Sequence, residues 1–123
     1  MAAPFPDSVL RLAKAISVAE GSNPAWNNPG DLTGEDAGSF ETNGTANSEG
    51  VWRFVNNVDG WLALYIKVNR MLLGRSEVYH LTDTLEIVGE KYSGGDPNWA
   101  KNVAAYLGVP ESTTLAQLAS GQV

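Results

Sequence analysis

Apolar residues recur at helical spacing in the first segment of the chain. The helix predicted over residues 7–20 carries a stripe formed by Val9, Leu12, Ala13 and Ile16. One turn further along this stripe lies Glu20, so the pattern places a carboxyl group on the face that points to the core. We expect Asp7 or Ser8 to cap the start of the helix and Gly21 to end it in a left-handed conformation.

The middle of the chain has a different texture. Residues 21–58 are rich in Gly, Asn, Ser and Thr and show little helical periodicity. Asn43–Gly44 is the commonest kind of two-residue hairpin turn, and residues 51–55 alternate with Trp52 and Phe54 on one face. The sequence therefore predicts a short β-hairpin region from about Leu32 to Val55.

Helical periodicity returns after this region and continues almost to the end of the chain. We expect Asp59 to cap a helix over residues 60–73, and Thr82 or Asp83 to open the next one. Asp96–Pro97 predicts the start of a third helix, which Gly108 ends, and residues 114–118 form a short amphipathic turn. The predicted fold class is α+β but mostly α, in a single domain over residues 1–123.

Composition narrows the possible partners. The net charge of −6 and the pI of about 4.6 argue against nucleic acid and anionic membranes, which need clustered Lys or Arg. The chain has no cysteine and a single histidine, His80, so neither a thiolate–zinc site nor a histidine-based triad is expected. No apolar run is long enough to span a membrane, and residues 1–6 do not resemble a signal peptide.

Glu20 is the first candidate for chemistry. It lies in the last turn of its helix, where the helix dipole and partial burial both disfavour a negative charge and so raise its pKa. A carboxylic acid of this kind suits a general acid at neutral pH. The alternative is a structural role, in which Glu20 turns to solvent or pairs with Lys14 or Arg11.

Eight residues after Glu20 begins a loop, Asn28–Pro29–Gly30–Asp31–Leu32, whose residue types favour turns. Beside a buried acid, a tight loop of this kind can present amide groups to the hydroxyl and N-acetyl groups of a sugar. Taken by itself, the loop is an ordinary turn, and only its place beside Glu20 makes it a candidate for substrate binding.

Several short motifs, taken in order, resemble the lysozyme-like domains of the lytic transglycosylase and goose-type lysozyme group. They are Ala19–Gly21, Asn27–Leu32, Val58–Leu64, Tyr92–Asn98 and Tyr106–Val109. Their order and spacing match over nearly the whole chain. The chain departs from the common pattern at Gly21, where a serine usually follows the glutamate, and at Asp31 to Thr33, where the usual loop reads Leu-Met-Gln.

The resemblance implies a peptidoglycan-cleaving enzyme of the lytic transglycosylase type, with Glu20 as general acid and base. It implies substrate contacts from Asn28, Asp31, Thr33, Trp52 and Tyr92, with the Tyr92 hydroxyl reaching Glu20 or the sugar. We expect no metal and no cofactor, a monomer, and peptidoglycan or a related amino-sugar polymer as partner. The expected location is outside the cell, in the periplasm or in a phage virion.

Two questions stay open at this stage. A second carboxylate, if one is used, has to come from Asp31, Glu35, Asp36, Glu41 or Glu49, and no spacing selects among them. The chain is alternatively a non-catalytic glycan-binding or phage structural module with a lysozyme-like fold, or a small helical interaction domain. Trp99 is a further candidate for stacking on a sugar, although a tryptophan in a domain of this size more often belongs to the core.

Overall fold

The computed structural model describes residues 5–21, 26–33 and 53–121. Five helices follow one another: α1 (Asp7–Glu20), α2 (Asn57–Leu72), α3 (Leu85–Ser93), α4 (Pro97–Leu107) and α5 (Leu115–Ser120). Helix accounts for 61% of the described residues, and strand or bridge residues for 4%. The described part of the chain is therefore all-α.

The predicted α+β class, a lysozyme-like fold with a β-hairpin, is wrong for this structure. Among the described residues there is no sheet, and the isolated antiparallel bridge between Thr84 and Thr114 joins the starts of α3 and α5. The expected hairpin turn at Asn43–Gly44 and the side chain of Trp52 lie outside the described residues.

Residues 53–55 are the described part of the alternating pattern over residues 51–55. Phe54 is fully buried between the exposed Arg53 and Val55, as the alternation predicts. Its backbone N–H donates to the carbonyl oxygen of Trp26 at 2.9 Å, and its own carbonyl accepts from the Asn27 side chain at 3.2 Å. Asn56 already caps α2, so residues 53–55 lead directly into a helix.

The helix ends agree with the sequence predictions where a glycine or an Asp–Pro pair marks the boundary. Gly21 ends α1 with a φ of 54°, and Gly108 ends α4 with a φ of 71°, both in the left-handed region. Asp96 caps α4 through a 2.9 Å hydrogen bond from the Asn98 N–H, and Pro97 occupies the first helical position. These three predictions are confirmed.

Several predicted helix starts are wrong by a few residues. Neither Asp7 nor Ser8 caps α1, because Pro6 holds that position without a side-chain hydrogen bond. The cap of α2 is Asn56, whose side chain accepts the N–H of Asp59, the residue that the pattern predicted as the cap. The start of α3 is capped by Thr84, two residues beyond the predicted Thr82.

The core lies between α1 and the helices packed around it. α1 contacts α4 most extensively and also packs against α2 and α5, while α3 packs against α4. Each member of the predicted α1 stripe is at most 1% exposed: Val9, Leu12, Ala13 and Ile16. Glu20 continues this stripe and ends the helix half-buried, where α1 runs alongside α4. No helix in the described ranges has the length and apolar content needed to cross a bilayer.

Candidate functional site

A cleft of about 390 Å³ opens at the carboxyl end of α1. Three parts of the chain supply its walls: the end of α1, the loop over residues 26–33, and the turn that joins α3 to α4. The lining residues are Ala19, Glu20, Asp31, Thr33, Tyr92, Ser93, Asp96 and Trp99. Four residues predicted from the sequence as site residues are thus brought together: Glu20, Asp31, Thr33 and Tyr92.

Glu20 is oriented by a donor from α4. The indole Nε1–H of Trp99 donates to Oε1 of Glu20 at 3.0 Å, across 79 positions of sequence. Trp99 is only 2% exposed, and the absence of a side chain at Gly89 gives it room, since a Cβ there would lie 3.0 Å from its ring. Trp99 therefore fixes the acid from within the core and is not an exposed platform for a sugar ring.

Burial is the largest influence on the Glu20 carboxyl and raises its pKa from 4.5 to about 7. The hydrogen bond from Trp99 opposes this by favouring the ionised form. The negative charge of Asp31 and a side-chain hydrogen bond to Asp31 both raise the pKa further. At neutral pH a large fraction of Glu20 is therefore protonated and able to donate a proton.

The cationic side chains near Glu20 do not neutralise it. Lys67 on α2 lowers the pKa of Glu20 through its charge, but this is the smallest of the contributions. The Lys67 ammonium lies 4.5 Å from the centre of the Tyr92 ring. Arg11 donates to the carbonyl oxygen of Leu107, and the Lys14 ammonium lies 5.5 Å from the Trp61 ring, so the alternative of a Glu20 ion pair with either residue is not what the structure contains.

The loop over residues 26–33 is held in place from within. Oδ1 of Asn28 accepts the Leu32 N–H at 2.8 Å, and Nδ2 of Asn28 donates to the Leu32 carbonyl oxygen at 3.0 Å. Asn28 is only 1% exposed, so its side chain shapes the loop, a different task from the predicted contact with substrate. Between these two residues, Asp31 takes a φ of 49°, a left-handed conformation that Asp tolerates better than most side chains.

The same loop is also anchored to α2 and α3. The Tyr92 hydroxyl donates to the Gly30 carbonyl oxygen at 2.7 Å. On the other side the loop approaches α2 so closely that a Cβ on Gly60 would lie 1.7 Å from the Asn27 carbonyl oxygen. The residue type at position 60 is therefore set by the position of the loop, and the loop in turn sets the position of Asp31.

Tyr92 lines the cleft as predicted, and its hydroxyl donates its proton to the loop, at the carbonyl oxygen of Gly30. Its ring stacks on that of Trp99 with 5.2 Å between the centroids and 27° between the planes. Tyr92 thus connects the two neighbours of Glu20, because it packs on Trp99 and binds the loop that carries Asp31. The predicted contact of this hydroxyl with Glu20 or the sugar stays a prediction.

The remaining predicted site residues divide into two groups. Thr33 is exposed and lines the cleft, where its hydroxyl can contact a ligand. Trp52 and four of the proposed second carboxylates lie outside the described residues: Glu35, Asp36, Glu41 and Glu49. Sequence reasoning missed Trp99 as the donor to Glu20 and Asp96 as a cleft residue, and the only available signal was the motif order that placed residues 92–98 near the glutamate.

Comparisons with protein-family models, with curated proteins and with solved structures gave no match to this chain. The function is therefore inferred from the cleft itself.

Proposed function

We propose that this protein cleaves β-1,4 glycosidic bonds in peptidoglycan or a related amino-sugar polymer, with Glu20 as its single general acid and base. The observation that carries the proposal is the Glu20 carboxyl, which lies half-buried in the cleft and has a pKa raised to about 7. A general acid works best when its pKa lies near the working pH, and such a residue typically contributes about 10²–10⁴-fold to the rate. The resemblance of the motifs around Glu20 to lytic transglycosylases supplies the substrate class.

In this mechanism Glu20 acts twice. Its carboxylic acid first donates a proton to the glycosidic oxygen as the bond from that oxygen to C1 of the sugar breaks. The carbonyl oxygen of the substrate's own N-acetyl group bonds to C1 and takes up the developing positive charge. The Glu20 carboxylate then accepts the proton of the sugar's 6-hydroxyl as that oxygen attacks C1, which displaces the N-acetyl oxygen and closes a 1,6-anhydro ring.

The placement of Asp31 supports the one-acid mechanism. Two-carboxylate glycosidases separate their carboxyl groups by about 5–5.5 Å when they retain the anomeric configuration and by about 6.5–9.5 Å when they invert it. Asp31 is instead engaged with the Glu20 carboxyl itself, since its charge and a side-chain hydrogen bond with it both raise the pKa of Glu20. The one-acid mechanism therefore gives Asp31 no role as nucleophile or base.

The test is digestion of purified peptidoglycan, with products identified by mass spectrometry. The wild type should release 1,6-anhydro products, and Glu20→Gln should lower the rate by about 10²–10⁴-fold because an amide cannot donate the proton. Glu90→Gln is the matched control, since Glu90 is exposed on α3 and away from the cleft lining. Reducing-end products without the anhydro ring would replace the transglycosylase with a hydrolase.

Glycan binding without cleavage would favour a non-catalytic module over an enzyme. If wild-type protein retains glycan in a pull-down but releases no product, the non-catalytic glycan-binding or virion module is correct. If cleavage occurs, the substrate places the protein outside the cell, in the periplasm or in a virion.

A further inference from the structure

The cleft holds a second acid that the one-acid mechanism does not use. Asp31 and Glu20 line the same cleft. The charge of Asp31 and a side-chain hydrogen bond with it both raise the pKa of Glu20, which is the effect of an acceptor that favours the protonated form. The Glu20 carboxyl also accepts a hydrogen bond from the Trp99 indole at 3.0 Å. Glu20 is therefore held between a donor on α4 and an acceptor on the loop.

The loop that presents Asp31 is built to hold it there. Asn28 binds both backbone groups of Leu32, the Tyr92 hydroxyl binds the carbonyl of Gly30, and Gly60 admits the loop against α2. A left-handed conformation is less favourable for aspartate than for glycine, although aspartate adopts it more readily than most residues. These anchors, on both sides of Asp31, hold it in that conformation.

We propose that Asp31 is a positioning residue for Glu20: its carboxylate accepts the Glu20 proton in a hydrogen bond and keeps that proton on Glu20 until a glycan enters the cleft. The role in cleavage rests on the proposed function, whereas the proton-sharing pair is a property of the protein alone. When a glycosidic oxygen approaches, it replaces Asp31 as the acceptor, and the proton passes from Glu20 to the leaving oxygen. Asp31 stays ionised throughout, so no further proton has to enter or leave.

Within residues 5–21, 26–33 and 53–121, the other charged and titratable groups near Glu20 do not take this role. Lys67 approaches from α2 and acts in the opposite direction, since its positive charge favours ionised Glu20. Tyr92 on α3 commits its hydroxyl proton to Gly30. Asp96 lines the cleft from α4, but its side chain accepts the Asn98 N–H as a helix cap.

The experiment is a carboxyl ¹³C NMR titration of Glu20 in three proteins: wild type, Asp31→Asn and Asp96→Asn. Asp31→Asn should move the Glu20 midpoint to lower pH, because the substitution removes a negative charge and places an amide donor beside the carboxylate. Asp96→Asn is the matched control, with the same chemical change in the same cleft, and should leave the midpoint unchanged. Asparagine also accepts both the left-handed conformation at position 31 and the capping role at position 96.

The Leu32 amide distinguishes a change in loop conformation from the loss of the Asp31 charge. Its N–H donates to Asn28, so its chemical shift reports the conformation of the loop. Its chemical shift should stay at the wild-type position while the Glu20 midpoint moves. An unchanged Glu20 midpoint in Asp31→Asn, or an equal shift in Asp96→Asn, overturns the proposal. So does a midpoint shift that appears only together with a displaced Leu32 amide.

The cleavage assay gives the second readout. The alkaline limb of kcat/KM against pH should move to lower pH in Asp31→Asn, with activity at acidic pH retained. If Asp31→Asn loses activity at every pH and its alkaline limb stays at the wild-type pH, the positioning role is contradicted. Failure of the proposed function is distinguishable, because wild-type protein would then cleave nothing while the NMR titrations still showed the coupling of Asp31 to Glu20.

Discussion

Replacing Glu20 by glutamine should make the protein more stable at alkaline pH. Glutamine has the shape of the protonated acid and can keep the acceptor for the Trp99 N–H while it donates to Asp31. In the wild type the carboxyl must ionise in its half-buried position once the pH exceeds its pKa of about 7. The substitution removes this cost together with the general acid.

The size of the effect follows from linkage. Because folding raises the pKa of Glu20 from 4.5 to about 7, the folded state binds more protons than the unfolded state between these values, and stability falls as the pH rises through this window. The upper limit of the loss is about 3 kcal/mol above the folded pKa. Glu20 keeps some contact with solvent, which screens charge, so we expect about 1–2 kcal/mol.

The assay is urea unfolding of wild type and Glu20→Gln at about pH 5 and about pH 8.5. The difference in unfolding free energy between the two proteins is compared at the two pH values. Contributions that are common to both proteins cancel in this comparison. At the lower pH the two proteins should be similar in stability, and at the higher pH Glu20→Gln should be more stable by about 1–2 kcal/mol. Parallel pH profiles for the two proteins would refute the raised pKa of Glu20, and with it the proposed general acid.

Three further substitutions test the surroundings of the cleft. Gly60→Ala should cost about 2–3 kcal/mol in chemical denaturation, because its Cβ would lie 1.7 Å from the Asn27 carbonyl oxygen; a neutral result would contradict this close approach. Asp83→Asn should cost about 1–3 kcal/mol at neutral pH, since it weakens the 2.7 Å ion pair with Lys91. Burial alone would raise the pKa of Asp83, but the bonds from His80 and Lys91 outweigh it and lower the pKa, so the difference in unfolding free energy should persist above pH 3.8 and vanish as the pH falls below it. Trp99→Phe should move the Glu20 titration to higher pH in the NMR experiment, because the donor that lowers the pKa is lost; a shift to lower pH would contradict its assigned role.

The parts of the fold that could be predicted are those decided by neighbouring residues. The α1 stripe, the left-handed end at Gly21 and the Asp96–Pro97 start each depend on a local pattern, and the structure contains all three. The start of α2 could not be found in this way. Its first turn includes Val58, which is 74% exposed, so no apolar periodicity marks the turn, and Asn56 and Asp59 are both good capping residues.

The start of α3 was predicted wrongly because contacts with a distant part of the chain determine it. Thr82, Asp83 and Thr84 can all cap a helix, but the Asp83 side chain binds the His80 N–H and the Lys91 ammonium. The backbone around it is further held by α5, since the Leu115 N–H donates to the Asp83 carbonyl and the Leu85 N–H to that of Thr113. A contact between segments 30 residues apart thus decides between adjacent capping residues.

The candidate site shows the same division. Glu20 was recognisable because a carboxyl on an apolar stripe breaks a local rule, and such exceptions mark strained or functional positions. Its two partners were not recognisable as partners. Trp99 reaches it across 79 positions and Asp31 from a left-handed turn, and no periodicity records either contact.

The stability and the proposed catalysis of this protein should depend on one titration. The fall in wild-type stability levels off at the pKa of Glu20 in the folded protein, and the alkaline limb of kcat/KM has its midpoint at the pKa of the same group in the free enzyme. The pH at which the stability levels off and the midpoint of the limb should therefore coincide near pH 7 in the wild type. Both should move together, downward in Asp31→Asn and upward in Trp99→Phe. A cleavage limb that stays in place while the levelling-off pH of the stability moves would assign the reaction to a different acid. The four carboxylates outside the described residues, Glu35, Asp36, Glu41 and Glu49, would then be the groups to replace next.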